Sequence, residues 1–176
     1  MKGKNRWLCT LVALGRGLAI VTLAASAPSF AAGGADREGC SDMDFILGDW
    51  KVLEKDGSVR GGASFTAGVD HCTLRETFFG ADGEAKYYVL YVYSAPKKNW
   101  AFFAGAANGY RLHYDFGTWK DNAIEFQLVE PVGPENSRFS YVKNADGSIQ
   151  EVQETTTDGG VSWQVDYDLR WVRPTQ

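Results

Sequence analysis

The sequence predicts an all-β domain, specifically an antiparallel up-and-down β-barrel of about ten strands. Three observations lead there. Asp-Gly recurs at 56–57, 82–83, 146–147 and 158–159 and Asn-Gly stands at 108–109, each between runs rich in aromatic or β-branched residues, which is the hairpin signal. From Trp50 onward no long stretch repeats with the 3.6-residue period of an amphipathic helix. Successive strands follow each other by short links, and a meander of this many strands removes its exposed edges most simply by closing on itself. A two-sheet sandwich is the alternative, but the long crossovers common in sandwiches are missing from the sequence.

The chain begins with Lys2, Lys4, Arg6 and Arg16, an apolar run from Gly17 to Ala27, and the small-x-small stretch Ser29-Phe30-Ala31. This is the layout of a secretory signal peptide, residues 1–31, with cleavage expected after Ala31 and delivery to the periplasm or the cell exterior. The apolar run is too short to span a bilayer, which takes about 20 residues, so no stable membrane insertion is expected. Cleavage removes 31 of 176 residues and four positive charges, leaving 145 residues, and moves the formal charge from −4 to −8. That length fits one domain with one core, and that charge makes nucleic acid or an anionic lipid surface a poor partner. Residues 32–48 form an N-terminal arm, and 49–176 form the barrel.

Cys9 leaves with the signal, and the remaining Cys40 and Cys72 meet an oxidising compartment, where a disulfide between them is the economical reading. It closes a loop of about 33 residues, worth roughly 3–4 kcal/mol on the chain-entropy model, and ties the arm to the barrel wall. A Cys/His metal site including His71 is the competing reading, but no C-x-x-C or H-x-x-x-H spacing supports it.

Strands are expected near 49–55, 60–69, 72–79, 86–94, 99–105, 109–117, 123–130, 137–143, 148–156 and 162–173, with Pro96 and the Pro131 to Pro134 stretch marking two further connections. Alternation assigns the faces. Trp163, Val165, Tyr167, Leu169 and Trp171 share one side of the last strand, and Tyr110, Leu112, Tyr114 and Phe116 share one side of an earlier one. The stretch KYYVLYVYSA is apolar on both faces, so its outer face is expected to pack on something outside the barrel, such as the arm.

Gly48-Asp49-Trp50 at the start of the first strand resembles the Gly-x-Trp signature of lipocalin-like (calycin) barrels. The resemblance implies that Trp50 plugs one end of the barrel and that an arginine of the last strand lies across it. Arg173 is the candidate because it shares parity with Trp171, whereas Arg170 points the other way; a guanidinium over an indole contributes on the order of 0.5–2 kcal/mol. Within that superfamily, FILGDWKV followed by HCTLRETFFG is similar to a group of bacterial secreted domains that open with Phe-x-x-x-Gly-x-Trp-x-Val and share a fold without an established activity. Gly48, Trp50 and Arg173 are therefore read as structural, with closure of the barrel favoured over ligand contact for Trp50.

Glu76 is the polar residue that stands out, since its parity with Cys72, Leu74 and Phe78 places a carboxylate on an apolar face, where desolvation raises its pKa unless it is paired. The alternative puts Glu76 near a rim, in a salt bridge or bonded to backbone amides. His113 falls with Arg111 and Asp115 on the outer face, and His71 at a strand entrance beside the disulfide, so neither supplies a base. No Gly-x-Ser-x-Gly elbow, H-E-x-x-H or phosphate-cradling loop is present, SVRGGAS lacks the lysine and the helix that phosphate binding needs, and no cofactor is expected.

The mature chain keeps five Trp, eight Tyr and nine Phe, enough either to wall a cavity or to fill a small barrel. Tyr87, Tyr91, Tyr93, Trp100, Phe102, Tyr114 and Tyr141 are the candidate lining residues, with Glu76, Tyr91, Trp100, Tyr114 and Tyr141 the expected ligand contacts. Three functions follow: a binding protein for a small, largely apolar ligand, an enzyme using Glu76 as acid or base on a hydrophobic molecule, or an envelope interaction module with a filled core that recognises its partner through loops such as EPVGPENS. A void above roughly 300 Å³ separates the ligand readings from the module, and a second titratable group beside Glu76 favours the enzyme.

Overall fold

A computed structural model describes residues 38–68, 71–107, 109–129 and 135–175 of the chain. The segment read as a signal peptide, the first part of the arm and the Pro131 to Pro134 connection lie outside the described residues. Ten strands, β1 (Gly48–Leu53), β2 (Val59–Ala67), β3 (Thr73–Gly80), β4 (Ala85–Ser94), β5 (Asn99–Ala106), β6 (Arg111–Lys120), β7 (Ala123–Leu128), β8 (Asn136–Lys143), β9 (Ile149–Thr156) and β10 (Gln164–Val172), follow one another in sequence. Each pairs antiparallel with its neighbours, and β1 pairs with both β2 and β10, which closes an up-and-down barrel. The Asp-Gly turns do what their chemistry allows: Gly57, Gly83 and Gly147 all take positive φ, a conformation that glycine adopts without a Cβ penalty.

Alternation places the core. Phe65, Leu74, Val89, Tyr91, Phe102, Tyr114, Ile124, Phe126, Phe139, Tyr141, Ile149, Leu169 and Trp171 point inward and are buried. Most of their rings meet edge to face or tilted, Phe102 lying 5.0 Å from Phe126 and 5.4 Å from Phe139 and Tyr141 5.5 Å from Trp171, while Phe102 stacks on Tyr114 at 4.6 Å. Aromatic pairs in such geometries contribute about 0.5–1.5 kcal/mol each beyond the area they bury. The barrel is thus packed with side chains over most of its length.

The described part of the arm closes one end. Met43 and Ile46, on either side of Asp44 in and before a short 3-10 turn (Asp44–Ile46), are fully buried. Trp50 donates its indole N–H to the Ile46 carbonyl at 2.6 Å, Trp100 donates to the Gly39 carbonyl at 3.0 Å, and the Tyr93 hydroxyl donates to the Glu38 carbonyl at 2.6 Å. A disulfide joins Cys40 to Cys72, immediately before β3. Arg173 sits with its guanidinium carbon 3.6 Å from the Trp50 ring centroid while donating to the Leu47 carbonyl at 2.8 Å. Gly48 has φ +97°, and a Cβ there would lie 2.8 Å from Arg173 Nη1. The glycine, the tryptophan and the arginine therefore form one latch: glycine supplies the turn and the space, arginine spans both the ring and the backbone.

Three expectations about faces need correction. Phe116 is 59 % exposed with φ +66°, because β6 bulges between Asp115 and Thr118 and the alternation changes phase there. Asp115 anchors that bulge, accepting from the Phe116 backbone N–H at 2.7 Å and from Asn99 Nδ2 at 2.9 Å. In β10 a second irregularity between Val165 and Tyr167 leaves Val165 exposed, and Trp163, just before the strand, lies under the Arg138 guanidinium at 4.4 Å. Finally, Tyr88 and Leu90 on the outer face of β4 are exposed; the described arm packs on the barrel end instead.

Candidate functional site

The end of the barrel away from the Trp50 latch is not filled. A cavity of about 170 Å³ opens there, walled by Tyr87, Val89 and Tyr91 of β4, Phe102 and Ala104 of β5, Leu112 and Tyr114 of β6, Phe139 and Tyr141 of β8, and Tyr167 and Leu169 of β10. Arg60 of β2 and Tyr110 stand at its edge, and two carboxyl groups, Glu76 of β3 and Glu151 of β9, complete the wall.

Glu76 is 1 % exposed and Glu151 is 2 % exposed. The register explains both positions. Glu76 lies across from Phe65 and Val89, and Glu151 across from Tyr141 and Leu169, so each carboxyl interrupts a ring of inward apolar side chains. Glu76 Oε2 accepts from the Tyr91 hydroxyl at 2.7 Å, and Tyr91 and Tyr141 hydroxyls lie 2.8 Å apart. These three groups form a buried hydrogen-bonded chain between β3, β4 and β8. Among the described residues Glu76 has no salt bridge, so the rim and ion-pair alternative does not hold. Glu151 Oε2 and the Trp171 indole nitrogen make no hydrogen bond of good geometry, although the Trp171 N–H and the Tyr167 hydroxyl face the Glu151 carboxyl closely enough to favour its ionised form.

Burial raises the pKa of both acids. Desolvation, with Glu151 as a second negative group nearby, pushes Glu76 up to about 8 although the Tyr91 hydroxyl pulls the other way. Desolvation pushes Glu151 up to about 7, opposed by the Trp171 N–H, the Tyr167 hydroxyl and Arg60. Glu151 acts on Glu76 as a like charge, so ionising one acid opposes ionising the other. Burial also drives the hydroxyl pKa values of Tyr87, Tyr91, Tyr141 and Tyr167 upward, first by desolvation and then by the acids, so these phenols stay neutral hydrogen-bonding groups. Arg60 serves two acids, with Nη1 donating to Glu54 Oε1 at 2.8 Å while its charge also acts on Glu151, and its guanidinium lies 5.5 Å from the Tyr167 ring.

Of the expected ligand contacts, Glu76, Tyr91, Tyr114 and Tyr141 all reach the cavity, together with Tyr87 and Phe102. Trp100 and Tyr93 do not line it; both are drawn to the closed end by their bonds to the arm. His113 faces outward and stacks on Phe103 at 4.2 Å, and His71 pairs with Asp44 at 3.0 Å. Glu151 was not expected. It shares parity with Ile149 on the inward face of β9, but Gln153 and Thr155 on the same side leave that face without an apolar pattern.

No protein-family model matches the chain, and no curated protein matches it. The resemblance to lipocalin-like barrels thus stands on architecture: ten antiparallel strands closed as a meander and capped at one end.

Proposed function

We propose that this protein is an exported binding protein that holds a small, largely apolar ligand in the cavity at the open end of its barrel. The carrying observation is a cavity walled by aromatic rings and by two buried carboxyls at the end of the barrel opposite its aromatic, well-packed closed end. Export is supported by the signal-like first 31 residues and by the Cys40–Cys72 disulfide, a bond typical of oxidising compartments. At about 170 Å³ the space falls below the roughly 300 Å³ that marks a ligand site, which counts toward the filled-core module and leaves the ligand reading only a smaller occupant. It is close to the roughly 150 Å³ in which an apolar protein cavity takes up benzene. The ligand is therefore one ring or its equivalent, and fatty acids or isoprenoids are too long to enter whole.

Thermal melts with single-ring compounds test this reading, since a ligand that binds only the folded state raises the midpoint. A rise with single-ring compounds and none with long-chain fatty acids is expected. No shift with any single-ring compound would sink the proposal and return the barrel to the filled-core interaction module. A second reading, an enzyme working by general acid–base chemistry, is favoured by one observation: Glu76 has Glu151 beside it as a second group with a raised pKa, the combination that acid–base sites use.

A further inference from the structure

We infer that the ligand is a compact organic cation, a primary ammonium on a single ring or short branched chain, bound with its charge against Glu151 and Glu76 and its hydrocarbon against the aromatic wall. The inference rests on the cavity being the ligand site and goes on to name the charge the ligand carries.

Two independent features point to a cation. The first is the under-bonded acceptor: Glu151 is 2 % exposed and lines the cavity, its Oε2 has no hydrogen bond of good geometry, and the donors directed at its carboxyl, the Trp171 N–H and the Tyr167 hydroxyl, are neutral. A buried acceptor short of donors is costly, and an ammonium brings three donors with a compensating charge. The second is the wall. Tyr87, Tyr91, Phe102, Tyr114, Phe139 and Tyr141 surround the space, and aromatic faces carry the negative quadrupole that attracts organic cations. A ligand carboxylate would meet two acids, against the single cation in the lining, Arg60, which is shared between Glu54 and the field of Glu151.

The same geometry sets the pH response. The groups facing the two acids are Arg60 from β2, Tyr87 and Tyr91 from β4, Tyr141 from β8, and Tyr167 and Trp171 from β10. The phenols remain neutral and Arg60 remains charged through the neutral range. Only the acids change protonation there. An ammonium favours the ionised acid, so binding expels a proton, and affinity rises with pH as long as the amine stays protonated, as alkylamines do up to about pH 10.

Isothermal titration of the mature protein with cyclohexylammonium, cyclohexanol and cyclohexanecarboxylate, three probes on one ring, tests this. Cyclohexylammonium should bind about tenfold or more tightly than cyclohexanol at pH 8, the worth of one charge-assisted contact. Its affinity should rise on the order of tenfold from pH 6 to pH 8, with a proton released as judged by the binding heat in buffers of different ionisation enthalpy. Glu151→Gln should collapse the preference for ammonium over alcohol, with near-ultraviolet circular dichroism confirming the fold. Should that variant fail to fold, the pH profile and proton release of the wild-type protein still decide. Cyclohexanol binding as well as the ammonium, or carboxylate binding better than both, overturns the cation and leaves the ligand site standing. Binding of none of the three overturns both.

Discussion

Trp50 and Glu76 are both single residues on inward faces, and they differ in what surrounds them. Trp50 has every need met: its N–H is bonded to Ile46, one face carries Arg173, and its ring closes the core beside Met43 and Val52. Trp50→Ala removes all of this and should cost about 3–5 kcal/mol, the range of large aromatic deletions, measurable as a lower urea midpoint. Ligand affinity measured well below the melting temperature should not change, and a selective loss of affinity with intact stability would instead place Trp50 in the binding site. Glu76 is the opposite case. Glu76→Gln imitates its protonated form at nearly constant volume and keeps a carbonyl acceptor for Tyr91. At pH 8 the variant should therefore melt at the wild-type temperature or above it. A clear drop in the midpoint there would mean that a cationic partner had been left unpaired.

Elements were more legible than faces. The turn dipeptides mark five of the nine links between strands, and Pro96 and the Pro131 to Pro134 stretch mark two more; Gly57, Gly83 and Gly147 take the positive φ that such a tight turn needs. Bulges in β6 and β10 were not legible, because an extra residue shifts the phase of alternation without changing composition. That is how Phe116 and Val165 come to lie outside a pattern that puts them inside. Glu151 escaped for a related reason: β9 alternates Ile, Glu, Gln and Thr inward, and only its neighbours Tyr141 and Leu169 across the register reveal that Glu151 is deep in the barrel. The arm and β3 are tied by an element-scale bond. Cys72→Ala should lower stability by roughly 2–5 kcal/mol, the usual effect of losing a native disulfide. It should leave the barrel in place, because strand pairing from β1 to β10 is independent of it. A variant with lost β-sheet circular dichroism at low temperature would contradict that independence. Mass spectrometry of the protein isolated without reductant should find the Cys40–Cys72 pair oxidised, with neither thiol alkylatable.

The balance of the whole molecule shows in its stability against pH. Glu76 and Glu151 have folded pKa values of about 8 and about 7 against an ordinary 4.5. Between those limits the folded barrel holds more protons than the unfolded chain, so unfolding releases them and stability must fall as pH rises. The favourable contribution is complete below about pH 4.5 and is lost as pH climbs through the folded values of the pair. Asp115 acts at the other end: although burial opposes it, the Phe116 N–H and Lys97 hold its pKa below 3.8, so its contribution is present above that pH and disappears in stronger acid. The two trends leave a maximum in the mildly acidic range. The thermal midpoint should therefore decline from pH 5 to pH 8, by an amount equivalent to a loss on the order of a few kcal/mol. Combining Glu76→Gln with Glu151→Gln should flatten that decline while leaving the acid limb unchanged, since Asp115 lies outside the pair. A wild-type midpoint that stays level or rises between pH 5 and pH 8 would show that the acids ionise as easily inside the barrel as in water. The cavity would then be far wetter than its aromatic wall implies, and the proposed preference for an apolar ring would fall with the desolvation it depends on.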